Sequence, residues 1–130
     1  LNHVYGYGVG IDMTRRDLQS DAKESRRPWE IGKAFDHSAP CSAISPVGSV
    51  GHPDTGRIWL AVNGAVRQDG NLSQQIWKVS ESIAHLSTLF ELMPGDLIMT
   101  GTPAGVGPIK AGDEITGGID GLGHITIKIV

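Results

Sequence analysis

Cysteine is almost absent from this sequence, and so are the long apolar runs that mark membrane segments. The single cysteine, Cys41, cannot form an internal disulfide, which predicts a reducing compartment, the cytoplasm by default. No apolar run approaches the ~18 residues that a membrane span needs, and no signal-peptide pattern is present. We therefore expect no membrane partner.

Positive charge is also scarce. The chain carries a formal net charge of −3, and no cluster of lysines and arginines compensates locally. Because nucleic-acid binding depends on basic surfaces that neutralise phosphates, this charge balance argues against nucleic acid as a partner.

Glycine and proline, by contrast, are plentiful, with 18 and 7 residues. This composition is typical of many turns and short strands rather than of a helical bundle. The 39% apolar content supports a globular core, and 130 residues correspond to one domain or to part of a larger one. The chain starts at Leu1 and enters a strand within a few residues, which we interpret as a segment of a longer protein.

The first organised stretch is a glycine-rich strand that leads into a charged helix. Side-chain alternation predicts an apolar face that can enter a core, formed by Tyr7, Val9, Ile11 and Met13. The opposite face consists of glycines and ends in Asp12, which suits the close approach of a ligand and its metal. Thr14 is predicted to cap a helix that starts near residue 15, with Leu18 and Ala22 on one face. Pro28 ends this helix.

The rest of the chain predicts a mostly β domain with one more helix. Residues 57–62 form a strand, and the following Asn63-Gly64 predicts a hairpin that returns through residue 68. Apolar residues at three- and four-residue spacing predict a helix over 80–90, capped by Ser80. Three further segments are predicted as strands, the last two paired with each other: 97–99, 114–119 and 124–130.

Three segments between these elements are predicted to lack long regular structure. Residues 29–44 are either a strand with a functional lysine or a surface loop, and residues 46–56 are a loop. Residues 71–79 could include a short helical turn. A turn at 93–96 completes the prediction.

Four polar residues near the first strand and helix are candidates for chemistry. Asp12 offers the carboxylate oxygen that Mg²⁺ or Mn²⁺ prefers, although a cap or turn role is the alternative. Arg16 and Gln19 could hold a substrate carboxylate or carbonyl, or simply form a solvated helix face. Lys33, if partly desolvated, can stabilise an oxyanion or enolate, and an ordinary exposed lysine is the alternative.

Residues 100–107 form a glycine-rich segment that lacks the Gly-Lys-Ser/Thr ending of a phosphate loop. We interpret it as a backbone-lined wall from which the hydroxyl of Thr102 reaches a small ligand, with a bare turn as the alternative. The five histidines show no pair at metal spacing, and Cys41 has no activating partner. A covalent hydrolase is therefore disfavoured.

Together, five ordered motifs resemble the fumarylacetoacetate hydrolase family. They are Gly-Ile-Asp-Met-Thr-Arg-Arg-Asp-Leu-Gln, Pro-Trp-Glu-Ile-Gly-Lys-Ala-Phe-Asp, Val-Asn-Gly-Ala-Val-Arg-Gln-Asp-Gly, Pro-Gly-Asp-Leu-Ile-Met-Thr-Gly-Thr-Pro-Ala-Gly-Val-Gly-Pro and Gly-Asp-Glu-Ile. The residues of these motifs are most similar to those of family members that hydrolyse fumarylpyruvate. They also resemble those of acylpyruvases and oxaloacetate decarboxylases.

The resemblance implies a mixed β-roll, similar to a β-sandwich and with two short helices, that is usually dimeric and binds Mg²⁺ or Mn²⁺. By motif position, Asp12 matches a metal ligand. Arg16, Gln19 and Lys33 match polar residues on the substrate side, and Thr102 matches a substrate-contacting threonine. In the family, a Glu-x-Glu pair and a His/Glu lid precede this region, and this chain contains no Glu-x-Glu. We therefore expect residues 1–130 to be the C-terminal portion of one catalytic domain.

The resemblance also implies a function. We expect part of a homodimeric, metal-dependent hydrolase that cleaves a carbon–carbon bond in an acylpyruvate, with fumarylpyruvate from aromatic-compound catabolism as the leading substrate. Decarboxylation of oxaloacetate through the same enolate is one alternative. A non-catalytic fragment with an incomplete metal site is another.

Overall fold

The computed structural model describes all residues 1–130 and shows a mostly β domain with two sheets and four short helices. The elements in chain order are β1 (Gly6–Tyr7), α1 (Arg16–Glu24), α2 (Glu30–Lys33), β2 (Ser45–Pro46), α3 (Val47–Val50), β3 (Arg57–Val62), β4 (Ala65–Asn71), a 3₁₀ turn (Leu72–Gln74), α4 (Val79–Leu86), β5 (Glu114–Ile119) and β6 (Gly123–Lys128).

The main sheet has the strand order β4-β3-β5-β6 and is antiparallel throughout. Its first hairpin turns at Asn63 and Gly64, whose φ angles of 50° and 78° are the positive values that a tight two-residue hairpin requires. The hairpin and the paired closing strands are confirmed. The return strand β4 runs three residues further than predicted, to Asn71.

A β-bulge interrupts the pairing of β3 with β4. Leu60 lies opposite Gln68, but the next residue, Ala61, lies opposite Val66, so Arg67 is an extra residue on β4. A bulge of this kind bends its strand and redirects the neighbouring side chains. Here the bulge determines the direction in which Arg67 and Gln68 face the neighbouring segment, residues 98–109.

The glycine-rich stretch is extended, but only its first two residues form a strand, β1, which pairs with β2. Beyond β1, Gly10 bridges Cys41, and the N–H of Ile11 donates to the carbonyl oxygen of Pro40 at 2.9 Å. The apolar face is confirmed, because Val9 and Ile11 are 3% and 6% exposed. Ile11 packs towards Gly117 of β5, where an added Cβ would lie 3.8 Å from the Ile11 side chain.

Helix α1 follows as predicted, with Ala22 buried, but the capping prediction was wrong. No side chain caps its start, and the Thr14 hydroxyl instead accepts a hydrogen bond from Lys33 at 2.8 Å. Two helical turns, α2 and α3, were not predicted. Each is only four residues long, too short to show helical periodicity in a sequence.

Helix α4 begins at Val79 and ends at Leu86, four residues earlier than predicted. Ser80 is not its cap, because Lys78 precedes the first turn and donates its backbone N–H to Glu81 at 2.7 Å. Residues 97–99 are not a strand, because they pair with no other strand.

The buried apolar core is small, and large apolar side chains remain exposed. The buried core residues are Val9, Ile11, Ala22, Ala61 and Ile115. Ile76, Trp77 and Phe90 lie at the other extreme and are 94%, 53% and 63% exposed. No helix combines the length and the apolar character needed to cross a bilayer.

Candidate functional site

A large cleft, of about 880 Å³, lies between the main sheet, the stretch from Gly8 to Gln19 and the segment 98–109. All five residues singled out from the sequence line this cleft: Asp12, Arg16, Gln19, Lys33 and Thr102. The fold thus brings together residues that are up to 90 positions apart in the sequence.

Asp12 and Lys33 form an ion pair on one wall. The Lys33 ammonium lies 2.5 Å from Asp12 Oδ1, and the two side chains are 30% and 46% exposed, respectively. Lys33 is the last residue of α2, which rests on α1 through the buried Gly32. A Cβ at Gly32 would lie 3.1 Å from the Gln19 backbone nitrogen, so the close approach of these two helices requires a glycine or a small shift.

The Lys33 ammonium has three oxygen neighbours for its three N–H donors. Besides Asp12, it donates to Thr14 Oγ1 at 2.8 Å and to the Met13 carbonyl oxygen at 3.3 Å. These contacts fix its position at the junction between the extended stretch and α1. A ligand oxygen could replace the longest contact, the one to Met13, without disturbing the ion pair.

Arg16 and Gln19 face the cleft from the first turns of α1. A terminal nitrogen of Arg16 donates to the carbonyl oxygen of Gly107, which also lines the cleft, at 3.2 Å. An arginine carries five N–H donors, so this one contact leaves most of them available to a ligand.

The opposite wall is the irregular segment 98–109, which the hairpin strand β4 and the turn after it hold in place. Gln75 Nε2 donates to Thr100 Oγ1 at 2.9 Å, and Gln68 Nε2 donates to Thr102 Oγ1 at 2.7 Å. Gln68 also donates to the carbonyl oxygen of Pro103 at 2.7 Å. This segment therefore lines the cleft, and two glutamine amides hold its threonine hydroxyls. The contact of Thr102 with a ligand stays a prediction.

Gln68 is a site residue that the sequence reasoning missed. It is 7% exposed, one of only two buried polar or charged residues outside glycine, and it lines the cleft. Its position in a hairpin strand gave no functional signal. A polar residue that the bulge turns inward could only be recognised once the register of β3 and β4 was known.

The cleft is electropositive, although the protein as a whole is acidic. Its charged lining consists of four cationic side chains and two carboxylates, namely Arg15, Arg16, Lys33 and Arg67 against Asp12 and Asp17. The lining therefore carries a formal charge of +2, while the whole chain carries −3. A cleft with this balance attracts small anions.

The groups with shifted pKa values lie outside the cleft lining. The hydrogen bond from Asn63 lowers the pKa of Asp113, and the Arg57 guanidinium lowers the pKa of Asp69. Burial raises the pKa of Tyr7, whose hydroxyl lies 2.7 Å from His52 Nδ1. These groups stabilise turns and strand ends.

The residues present fit one metal ligand but not a complete metal centre. The Asp12 carboxylate is accessible from the cleft, and a hard divalent cation accepts such an oxygen. No group of three or more histidine, cysteine, aspartate or glutamate residues in the chain could enclose an ion.

The structure is thus a mostly β domain with an electropositive cleft that contains a carboxylate–lysine pair. The family model described as the C-terminal region of fumarylacetoacetate hydrolase matches residues 1–130. The chain belongs to the fumarylacetoacetate hydrolase family, as its motifs predicted.

Two curated relatives differ in their named chemistry. A fumarylpyruvate hydrolase of Ralstonia sp. is 48% identical over 97% of this chain and 65% of its own length. A mitochondrial oxaloacetate tautomerase of Mus musculus is 43% identical over 99% of this chain and 58% of its own length. The chain thus spans less than two thirds of each relative.

The fold similarity extends to a solved structure with ligands. The crystal structure of fumarylpyruvate hydrolase from Pseudomonas aeruginosa in complex with Mn²⁺ and pyruvate has a TM-score of 0.96 and 53% sequence identity to this chain. The match covers 99% of this chain and 55% of that one.

Proposed function

We propose that this chain forms the keto-acid side of the active site of a divalent-metal-dependent acylpyruvate hydrolase. The leading substrate is fumarylpyruvate, cleaved to fumarate and pyruvate during the breakdown of aromatic compounds. The observation that carries this proposal is the convergence of Asp12, Arg16, Gln19, Lys33 and Thr102 on one electropositive cleft. A relative bound to Mn²⁺ and pyruvate supports the same ligand class.

Asp12 is proposed as one ligand of the Mg²⁺ or Mn²⁺ ion. Because the chain contains no cluster of three suitable side chains, the other protein ligands are proposed to come from residues outside these 130. When bound, such an ion would withdraw electron density from the oxygens of a keto acid. The proposal thus assigns one carboxylate of the metal site, and that carboxylate also pairs with Lys33.

The polar and cationic side chains of the cleft have distinct proposed roles. Arg16 and Gln19 orient the substrate oxygens, and the Thr102 hydroxyl contacts the carboxylate. Lys33, already fixed by Asp12 and Thr14, supplies a positive charge beside the position where enolate charge develops. A charge held in place before the reaction stabilises the transition state without reorganisation.

The proposed reaction balances as a hydrolysis. The hydroxyl of water joins the fumaryl carbonyl carbon, and the bond from that carbon to the adjacent methylene breaks. The electron pair remains on pyruvate as its enolate, which then takes up a proton to give the methyl group. The base that activates water is proposed to lie in the His/Glu pair that the family resemblance implies upstream.

A second candidate is enolate chemistry on oxaloacetate, which the 43%-identical oxaloacetate tautomerase favours. The sequence suggested decarboxylation, whereas this relative is named for tautomerisation, a proton transfer that keeps every carbon. Both reactions of oxaloacetate need the same electropositive cleft.

A non-catalytic fragment is the third possible function of the chain. A dimeric assembly and a cytoplasmic location stay predictions.

Steady-state assays of the purified full-length protein, which includes the ligands and the base proposed to lie outside these 130 residues, distinguish these functions when Mn²⁺ is present. We expect fumarylpyruvate to yield equal amounts of fumarate and pyruvate, measured by chromatography. Oxaloacetate is followed in parallel for carbon dioxide release and for loss of its enol absorbance. Enol loss faster than fumarylpyruvate cleavage would replace the hydrolase proposal with the tautomerase one, and no turnover of either substrate would contradict both.

A further inference from the structure

Gln68 combines two properties that the proposed function does not use. It is almost fully buried, and its amide nitrogen makes two short hydrogen bonds, both at 2.7 Å, to Thr102 Oγ1 and to the Pro103 carbonyl oxygen. A primary amide has two N–H donors, so this geometry uses both of them. Gln68 can therefore donate to Thr102 but has no further proton to offer a ligand.

The direction of this hydrogen bond determines what the Thr102 hydroxyl can do. A hydroxyl has one donor proton and two acceptor lone pairs. Because Thr102 Oγ1 accepts from Gln68, its own proton is free, and the hydroxyl makes no second hydrogen bond within the chain. Thr102 is exposed and lines the cleft, so an anion bound there can accept this proton in place of water.

The backbone around Gln68 and Thr102 is also held in place by close packing. The bulge at Arg67 places the carbonyl of that residue against Gly105, where an added Cβ would lie only 2.0 Å from the oxygen. Pro103 packs on Gly70, with an added Cβ there at 3.1 Å from the proline ring. The segment that carries Thr102 therefore lies directly on β4.

We propose that Gln68 is a positioning residue that orients the Thr102 hydroxyl as a hydrogen-bond donor to a carboxylate oxygen of the bound keto acid. This inference deepens the proposed function and rests on it for the identity of the ligand. Gln68 touches no substrate. It acts by occupying a lone pair of Thr102, so that the hydroxyl proton points into the cleft.

A simpler structural role must be separated from this one. Gln68 also holds the Pro103 carbonyl, so its loss could weaken ligand binding by loosening the segment alone. The two roles differ in their dependence on the Thr102 hydroxyl. Positioning requires that hydroxyl, whereas loosening operates equally well when residue 102 has none.

A double-mutant cycle in the full-length protein makes the distinction, with pyruvate affinity in the presence of Mn²⁺ measured by isothermal titration calorimetry. Thr102→Val removes the donor, and we expect about a tenfold loss of affinity, in the range for a hydrogen bond to a charged group. Gln68→Glu keeps the shape but ends donation, so the threonine hydroxyl turns to the new carboxylate. We expect a similar tenfold loss, and no further loss when Gln68→Glu is added to Thr102→Val.

Three further variants complete the experiment. Thr102→Ser should restore affinity to within about threefold, because the hydroxyl is retained. Gln68→Met removes both donors without adding charge and serves if the glutamate variant does not fold, with an effect that again disappears in the Thr102→Val background. Gln74→Glu is the matched control: it is exposed, its oxygen only accepts from the Asn71 N–H, and affinity should stay within twofold.

Each outcome has one meaning. If the unaltered protein does not bind pyruvate, the proposed ligand is wrong. If it binds and Thr102→Val weakens binding while neither Gln68 variant does, the positioning role is wrong. If the Gln68 variants weaken binding equally in the threonine and valine backgrounds, Gln68 acts only by holding the segment, which also overturns the inference.

Discussion

Gly105 offers the sharpest test of how the wall of the cleft is built. Its φ angle is +101°, and an added Cβ would lie 2.0 Å from the Arg67 carbonyl oxygen. Ordinary van der Waals contact starts near 3.4 Å, so Gly105→Ala must move the two backbones apart by about 1.4 Å. The backbone conformation alone costs about 1–3 kcal/mol in a residue with a side chain. The displacement adds to this and breaks the 2.7 Å contacts of Gln68 with Thr102 and Pro103.

Two neighbouring glycines provide matched controls for this substitution. Gly101 has a φ of +109° but open space around its Cβ position, so Gly101→Ala carries the conformational cost alone. Gly107 has open space and no positive φ, so Gly107→Ala should change the free energy of unfolding by less than about 0.5 kcal/mol. The three variants separate backbone strain from the loss of contact with β4.

Thermal unfolding and pyruvate titration with Mn²⁺ measure the two effects. At roughly 3–5 °C per kcal/mol for a domain of this size, Gly101→Ala should lower Tm by several degrees, and Gly105→Ala should lower it further. Only Gly105→Ala is expected to weaken pyruvate binding by about tenfold or more, because it displaces Thr102. A Gly105→Ala protein that matches Gly107→Ala in both measurements would refute the described packing of this segment on β4.

Three other substitutions test the strand ends, the sheet and the cleft. Asp113→Asn should lower Tm at pH 7, since the hydrogen bond from Asn63 lowers the pKa of Asp113. This stabilisation is complete above the ordinary value of 3.8 and is lost as the pH falls through the lowered folded pKa, so the Tm difference should close in acid. Gly118→Ala should destabilise by about 1–3 kcal/mol in chemical denaturation, because its Cβ would lie 2.8 Å from the Trp59 ring. Arg16→Gln should raise the KM for a keto-acid substrate about tenfold or more, with Tm almost unchanged.

Local signals in the sequence were sufficient for the hairpin, the closing strands and the first helix. Asn63-Gly64 specifies a tight turn by its backbone conformation alone, and the β3 strand was predicted with its observed bounds. The alternation in the first stretch also identified the buried pair Val9 and Ile11. These features depend on residues that are close together in the chain.

Features that depend on contacts between residues far apart in the chain could not be predicted from local signals. Thr14 has the sequence context of a helix cap, but Lys33, 19 residues later, takes its hydroxyl. The segment 97–99 is apolar enough for a strand, yet it finds no partner strand. Gln68 acquired significance only through a bulge that shifts its register against β3.

The roles of the site residues were predicted largely from the resemblance to the family. Taken by themselves, Asp12, Arg16, Lys33 and Thr102 could each have had an ordinary structural or solvent-exposed role. The family motifs supplied their functional roles. The structure adds that all of them share one cleft, which spacing along the chain could not show. Their individual roles stay predictions.

The central claim is that Asp12 is a metal ligand in a keto-acid site, and a matched pair of variants tests it most directly. Asp12 and Asp17 both line the cleft, but Asp12 pairs with Lys33 whereas Asp17 lies in the first turn of α1. Mn²⁺-dependent pyruvate binding by the purified full-length protein should weaken at least tenfold in Asp12→Asn and stay within twofold in Asp17→Asn. Equal binding by the unaltered protein and Asp12→Asn would contradict the account.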